Sequence, residues 1–351
     1  VDDCIAKGVK AAVVFSSGFR EKGDEGGKTE ELLVQRAREG GMRIIGPNCM
    51  GLYSPSSGLS FFPGMPKEEG KTAFLSQSGS LANMLGISAG ERGIRFSRMI
   101  SVGNAADLDM NDFLEYLESD EKTELITLYL EGIADGRRFL DLAARISPRK
   151  PILIWKVGRT EGGRESAASH TGSLSGSEEI WKAAIRQAGL IAVENLQELG
   201  GFITAFQNPH IPQGNRVAIL SGPGGIAVST ADACYEAGLK LASLSDDSRK
   251  ELSKFVPEFG ASVANPVDLS LSASFDHSMY PRATAICGAD ENVDMIVEFI
   301  PILHREVAEG LLETQAKIKK PIAVVTPLEF ASLETSAAKF FGTISREELS
   351  A

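Results

Sequence analysis

The sequence predicts an α/β protein built on parallel sheets with helices on both faces, and three observations carry that expectation. Short β-branched and aliphatic runs alternate with longer amphipathic stretches, the rhythm of strand and crossover helix. The rhythm recurs in three successive stretches, Lys10 to Gly46, Lys71 to Trp155 and Arg216 to Val325. Two segments that gather Pro, Gly and Ser or Asn, Ser54 to Gly70 and Asn208 to Gly214, divide the chain between them. At 351 residues the chain is too long for one ordinary core, in keeping with three parts.

In the first part, residues 1 to 64, Lys10-Ala-Ala-Val-Val-Phe15 reads as a strand, Thr29 to Glu39 as a helix and Arg43-Ile-Ile-Gly46 as the next strand. This part is short for a doubly wound domain and opens in a helix-like segment without an initiator methionine. It is expected to be the rear of a domain whose front comes from elsewhere. The glycine-rich turn that binds a nucleotide's phosphates follows the first strand of such domains, and none precedes Val1.

The second part, residues 65 to 209, opens with the strand Lys71 to Leu75. Ser76-Gln-Ser-Gly-Ser80 follows and leads into the helix-compatible Ala82-Asn-Met-Leu-Gly-Ile87. Amides and hydroxyls at a helix N-terminus favour an anion there, although the same residues suit an ordinary N-cap. Ser101-Val-Gly-Asn104 ends another short strand, and Asp107, Asp109 and Asp112 come soon after. Such carboxylates can hold Mg²⁺. Acidic residues also favour the first turn of a helix, and we read these as caps of a helix from Met110 through Glu118, with no metal assigned.

The apolar strand Leu125 to Leu130 ends at Glu131, where a parallel sheet presents residues to a ligand crevice. A strand-end glutamate facing solvent is the plain alternative. Pro151 to Trp155 is the next strand, followed by the polar segment Gly158 to Gly176 with Ala-Ala-Ser-His170-Thr-Gly-Ser173 inside it. A histidine among Ser, Thr and Gly has room for a phosphoryl group. Loop histidines are more often structural, so spacing alone leaves both readings open.

The third part, residues 210 to 351, begins with the strand Arg216 to Leu220 and the loop Ser221-Gly-Pro-Gly-Gly225, a weak signal for a second anion site. Asn265-Pro-Val-Asp268-Leu reads at least as well as a turn as a ligand contact. His210, His277 and His304 lack ligand-spaced neighbours and are taken as non-catalytic.

Composition narrows the class. Hydrophobic residues at 43% and charged residues at 24% describe a folded, water-soluble chain. A net charge of -11, spread along the sequence, argues against a nucleic-acid surface. No apolar run is long enough to span a bilayer and no leader is visible, so neither membrane nor secretion is expected. Cys4, Cys49, Cys234 and Cys287 form no C-x-x-C pair and read as small buried residues in a reducing cytoplasm.

Gly46-Pro-Asn-Cys-Met-Gly51, Ser76 to Ser80, Leu130-Glu-Gly132, Ser169 to Ser173, Ser221 to Gly225 and Asn265 to Leu269 occur in a specific order. In that order the chain resembles the NDP-forming acyl-CoA synthetases, of the ADP-forming acetyl-CoA synthetase type with an alpha-subunit-like chain, related to succinyl-CoA synthetase. The resemblance covers nearly the whole sequence. It implies an incomplete Rossmann-like CoA-binding domain (1 to 64) followed by two flavodoxin-like parallel-sheet ligase domains (65 to 209 and 210 to 351).

The resemblance further implies that acyl-CoA, phosphate and ADP give a carboxylic acid, CoA and ATP reversibly, through acyl phosphate and a phosphohistidine. His170 matches the phosphorylated histidine and Glu131 the acid that orients it. Ser78, Gly79 and Ser80 match the helix start that stabilises the phosphohistidine, with Gly172 and Ser173 in the histidine's own loop. Gly222, Gly224 and Gly225 resemble a second such helix, and Asn48 lies on the CoA side. ATP or ADP with Mg²⁺ is expected on an ATP-grasp unit outside this chain, as a beta-type subunit or fused domain. An oligomer is expected, acting on a small carboxylic acid and coenzyme A. The competing readings are a non-catalytic CoA-binding or regulatory homologue and a carbon-carbon lyase of the ATP-citrate lyase kind.

Overall fold

The computed structural model describes residues 1–61, 64–91, 93–160, 162–163, 177–207 and 210–326. The chain divides into two compact units, Val1–Thr204 and Ala205–Ala351.

The first unit opens with a short helix, Asp2–Ala6, followed by strands β1 (Ala11–Val13) and β2 (Arg43–Ile45), paired in parallel through the helix Asp24–Glu39. That helix starts ahead of the Thr29 expected from sequence. Gly26 and Gly27 hide its first turn, because glycine disfavours helix interiors. Gly26 is there for packing: a Cβ would sit 2.0 Å from the Phe19 carbonyl oxygen.

A seven-stranded sheet follows, in the order β4-β3-β6-β5-β7-β8-β9. Its strands are β3 (Gly51–Ser54), β4 (Leu59–Ser60), β5 (Thr72–Ser76), β6 (Phe96–Ser101), β7 (Leu125–Leu130), β8 (Ile152–Lys156) and β9 (Ile191–Ala192). Strands β5 to β9 run parallel, while β3 pairs antiparallel with β6 and β4. Both β3 and β4 precede residue 64, yet their backbone groups find partners in this sheet, so the sheet begins before the boundary that composition suggests.

Both faces are covered, which is why the strands read as continuous apolar runs and not as alternating ones. Every residue of β5 is buried. Phe74 and Phe96 pack with Leu85 and Ala89 of helix Gly79–Glu91 and Leu199 and Ile203 of helix Leu196–Gln207. Leu75 and Leu128 pack on the opposite face with Leu114 and Leu117 of helix Met110–Ser119 and Phe139 and Leu142 of helix Gly136–Ile146. Each fully buried Leu or Phe contributes about 1.5–3 kcal/mol by leaving water, so this sandwich holds the carboxyl ends of β5 to β8 in fixed register.

The second unit is a parallel sheet of β10 (Arg216–Ser221), β11 (Lys240–Leu241), β12 (Val267–Asp268), β13 (Met295–Phe299) and β14 (Ile322–Val325). Its path is β11-β10-β13-β14, with β12 also on β10. Helices Met279–Ala289 and Arg305–Gln315 bury Ala283, Cys287, Val307 and Leu311 against Val267 and Ile296. Asn265 ties three segments together, accepting from Ile219 N at 2.9 Å and donating to Val217 O at 2.7 Å and Ala242 O at 2.9 Å.

The two parallel-sheet layers are the expected fold class. Cys49, Cys234 and Cys287 are buried free thiols, as read from sequence, while Cys4 is half-buried. Among the described residues, no helix is long and apolar enough to cross a membrane.

Candidate active site

In the large sheet, β6 lies on one side of β5 and β7 on the other, so the chain reverses direction across the sheet at β5. Open α/β sheets bind ligands outside the carboxyl ends of strands at such a switch point. Two of the sequence-derived groups meet there: the loop after β5, carrying Ser78, Gly79 and Ser80, and Glu131 after β7.

The first loop is folded by its own side chains. Ser76 Oγ accepts from Ser78 N at 3.1 Å and donates to Ser78 O at 2.7 Å. Ser78 Oγ then lies 3.4 Å from both Leu81 N and Ser80 Oγ, at the start of helix Gly79–Glu91. Two hydroxyls therefore stand at the positive end of a helix dipole, where an anion is favoured. Gly79 admits the neighbouring loop, because a Cβ would sit 2.3 Å from Met50 Cγ.

Glu131 is nearly buried, at 6% exposure. Its main-chain N–H donates to Gln77 Oε1 at 2.6 Å, and Gly132 N–H donates to the same oxygen at 3.1 Å. Its carbonyl accepts from Lys156 Nζ at 2.6 Å. The acid is thus fixed from β5 on one side and β8 on the other. Burial pushes the Tyr129 hydroxyl up to about 12, and the Glu131 charge adds to the shift. Burial pulls the Lys156 ammonium down to about 8, with Glu131 opposing.

Asn48 stands in the β2–β3 loop with φ 55, a left-handed conformation that asparagine tolerates. Its N–H donates to Ser16 O at 2.9 Å and its Nδ2 donates to Asn104 Oδ1 at 3.2 Å. Asn104 Nδ2 in turn donates to Glu21 Oε2 and Glu30 Oε2, each at 2.7 Å. Burial would raise the Glu21 carboxyl, but hydrogen bonds from Asn104 and from the Gly18 and Phe19 amides outweigh it and hold it near 2. The same β2–β3 loop touches the helix start through Met50, whose N–H donates to Ser101 Oγ at 3.0 Å.

The three acidic residues after β6 are occupied as the sequence suggests for two of them. Asp109 and Asp112 form a reciprocal cap on helix Met110–Ser119. Asp107 differs, because its buried carboxylate binds Arg38 at 2.7 Å, Arg43 at 2.9 Å and Ile44 N at 2.7 Å.

In the second unit, Gly222, Gly224 and Gly225 lead into helix Gly224–Glu236. A Cβ on Gly222 would sit 2.7 Å from Tyr280 Oη, and one on Gly224 would sit 2.3 Å from Asp268 Oδ2. These two glycines are explained by close packing, and a carboxylate already stands beside the helix start. Asp268 Oδ1 accepts from Ser270 N at 2.8 Å, which makes the turn read from sequence. His277 and His304 stack at 4.1 Å.

His170, Gly172 and Ser173 lie outside the described residues. Sequence reasoning missed Gln77, Lys156 and Asn104. Lys156 had a signal: a cation closing the apolar run Pro-Ile-Leu-Ile-Trp155. Gln77 and Asn104 had none, because their partners are distant in sequence.

The sequence pattern of the succinyl-CoA ligase-like flavodoxin domain matches residues 69–206, and that of the ligase-CoA domain matches residues 217–297. The alpha subunit of ADP-forming acetate–CoA ligase II from Pyrococcus furiosus is 40% identical over 328 residues, spanning 91% of this chain and 71% of that protein. ADP-forming acetate–CoA ligase I from Archaeoglobus fulgidus is 39% identical, spanning 86% of this chain and 43% of that protein. Among solved structures, the dinucleotide-forming acetyl-coenzyme A synthetase 1 of Ca. Korarchaeum cryptofilum, in complex with phosphate and ADP, superposes with a TM-score of 0.87. It has 35% identity and covers 99% of this chain and 76% of that one.

Proposed function

The chain belongs to the ADP-forming acyl-CoA ligases, and from that premise we propose that it is an alpha-type chain that passes a phosphoryl group through His170, oriented by Glu131. The observation that carries this reading is the pairing of an acid with an anion-favouring helix start at one switch point. Gln77, from the loop that leads into the helix start, holds the Glu131 and Gly132 amides.

The reaction follows in three balanced steps. A phosphate oxygen attacks the thioester carbonyl of acyl-CoA, the C–S bond breaks, and CoA leaves as a thiol after taking a proton. An imidazole nitrogen of His170 then attacks the phosphorus of the acyl phosphate, and the carboxylate leaves. Finally an ADP oxygen attacks the phosphohistidine, the P–N bond breaks, and ATP forms. Each step is reversible.

This chain's residues serve the middle step. A carboxylate that accepts a hydrogen bond from one imidazole nitrogen fixes the tautomer and leaves the other nitrogen nucleophilic, the part assigned to Glu131. Ser78, Gly79 and Ser80 offer hydroxyls and a helix terminus to the transferred phosphoryl group, and Gly172 and Ser173 flank the histidine. Asn48 belongs to the loop assigned to the CoA side. The Gly222 to Gly225 helix is the second phosphoryl docking point in this reading, and Asp268 beside Gly224 is a group the phosphoryl must tolerate. Mg²⁺ and nucleotide are assigned to an ATP-grasp partner, and a small carboxylic acid is the product.

The test is a coupled assay with an ATP-grasp partner subunit. ATP formation from acetyl-CoA should require phosphate, ADP, the partner and this chain together. Equal ATP formation without this chain, or without phosphate, contradicts the proposal.

A further inference from the structure

Lys156 is the last residue of β8, in register with Leu130 of β7, and only 3% of it is exposed. Its Nζ donates to Glu131 O at 2.6 Å and also to the Val157 carbonyl, and it lies 5.2 Å from the Trp181 ring centroid in helix Glu178–Gln187. Burying an ammonium costs several kcal/mol on the order expected for an ion removed from water, whereas a methionine of similar length would pack on Trp181 without that cost. A cation kept at the strand end of the acid therefore asks for a role other than packing.

We propose that Lys156 is a positioning residue for Glu131. Its ammonium group fixes the turn that presents the Glu131 carboxylate and sets a positive charge beside it. The proposal rests on the reading of Glu131 as the orienting acid. With Gln77 on the amide and Lys156 on the carbonyl, both polar groups of the Glu131 main chain are held by neighbouring strands, so the carboxylate keeps one starting direction.

The groups facing this ammonium are few among the described residues. From the end of β7 comes Glu131. Beyond β8 comes Arg159, paired with Glu194 and sensing Glu178 of the Trp181 helix. Burial brings the ammonium down to about 8, with the Glu131 charge opposing and Arg159 adding to the fall. Its charge is thus present at neutral pH and is lost on the alkaline side.

The test uses the enzyme assembled with its ATP-grasp partner and labelled ATP, following the rate of protein labelling from pH 6 to 10. For the native chain the rate should fall along an alkaline limb near pH 8. Lys156→Met should slow labelling about 10- to 100-fold, leave the KM for ATP unchanged and abolish the limb. Lys156→Arg, charged throughout this range, should recover much of the rate and show no limb. A Lys156→Met protein with the native rate or the native limb overturns the proposal. If that variant does not fold, a native limb in Lys156→Arg overturns it instead. His170→Ala run alongside separates the two readings: label persisting there contradicts the phosphohistidine, whereas an unlabelled His170→Ala beside a native Lys156→Met profile contradicts only the positioning role.

Discussion

Gln77 Oε1 lies 2.6 Å from the Glu131 amide nitrogen and so joins the loop after β5 to the loop after β7. That one side chain couples the anion-favouring helix start to the acid. Gln77→Leu leaves two amides without their acceptor, which should cost about 1–3 kcal/mol for each that stays dry. Denaturant unfolding should report the loss, and phosphohistidine formation should slow with it. Unchanged stability and labelling would show that water replaces the glutamine at no cost.

Glu131→Gln should separate chemistry from folding. Its main-chain contacts to Gln77 and Lys156 survive the substitution, so the fold should persist, with the unfolding midpoint lowered only by the lost attraction to the Lys156 ammonium. The labelling rate should fall by about 10²–10⁴ if the carboxylate sets the imidazole tautomer. A rate within twofold of native removes Glu131 from that role.

Gly79→Ala places a methyl group 2.3 Å from Met50 Cγ and 3.1 Å from Met50 N. The β2–β3 loop must move, at about 1–3 kcal/mol for overpacking. Because Asn48 is on this loop, the KM for CoA should rise more than kcat falls. Gly79→Ala with Met50→Ala should recover part of the stability, since the flexible end of the clash is gone, and thermal melts of the pair check this.

Glu298 in β13 is wholly buried; Thr284 donates to its Oε2 at 3.0 Å, and its Oε1 has no hydrogen-bond partner among the described residues. Burial pushes its carboxyl up to about 8, only partly offset by Thr284. Between the ordinary glutamate value and about 8, the folded state holds a proton that the unfolded state has released. The second unit should therefore lose stability as pH rises through that window, by about 1.4 kcal/mol per pH unit, and level off above it. Glu298→Gln should flatten the dependence. A native slope in that variant assigns it to another group.

The longer strands β5, β7, β8 and β10 were legible because apolar runs of this length between glycine-rich turns have few other uses, whereas the sheet order was not, and β4 lies in the stretch read as a boundary. Ser78 to Ser80 and Glu131 were legible as positions, because strand ends in parallel sheets face the crevice. The helix start at Asp24 was not, since Gly26 serves a contact with Phe19 that no local pattern records. Asp107 read as a helix cap like its neighbours, but its partners Arg38 and Arg43 lie far back in the chain. Gln77, Lys156 and Asn104 were hidden for the same reason: their roles are long-range hydrogen bonds, and neither periodicity nor spacing encodes those.

The central claim is that His170 carries the phosphoryl group. Its most direct measurement is the transfer of label from terminally labelled ATP to this chain in the presence of the ATP-grasp partner. The account predicts an acid-labile, base-stable label on the native chain and none on His170→Ala. Equal labelling of the two proteins would contradict it.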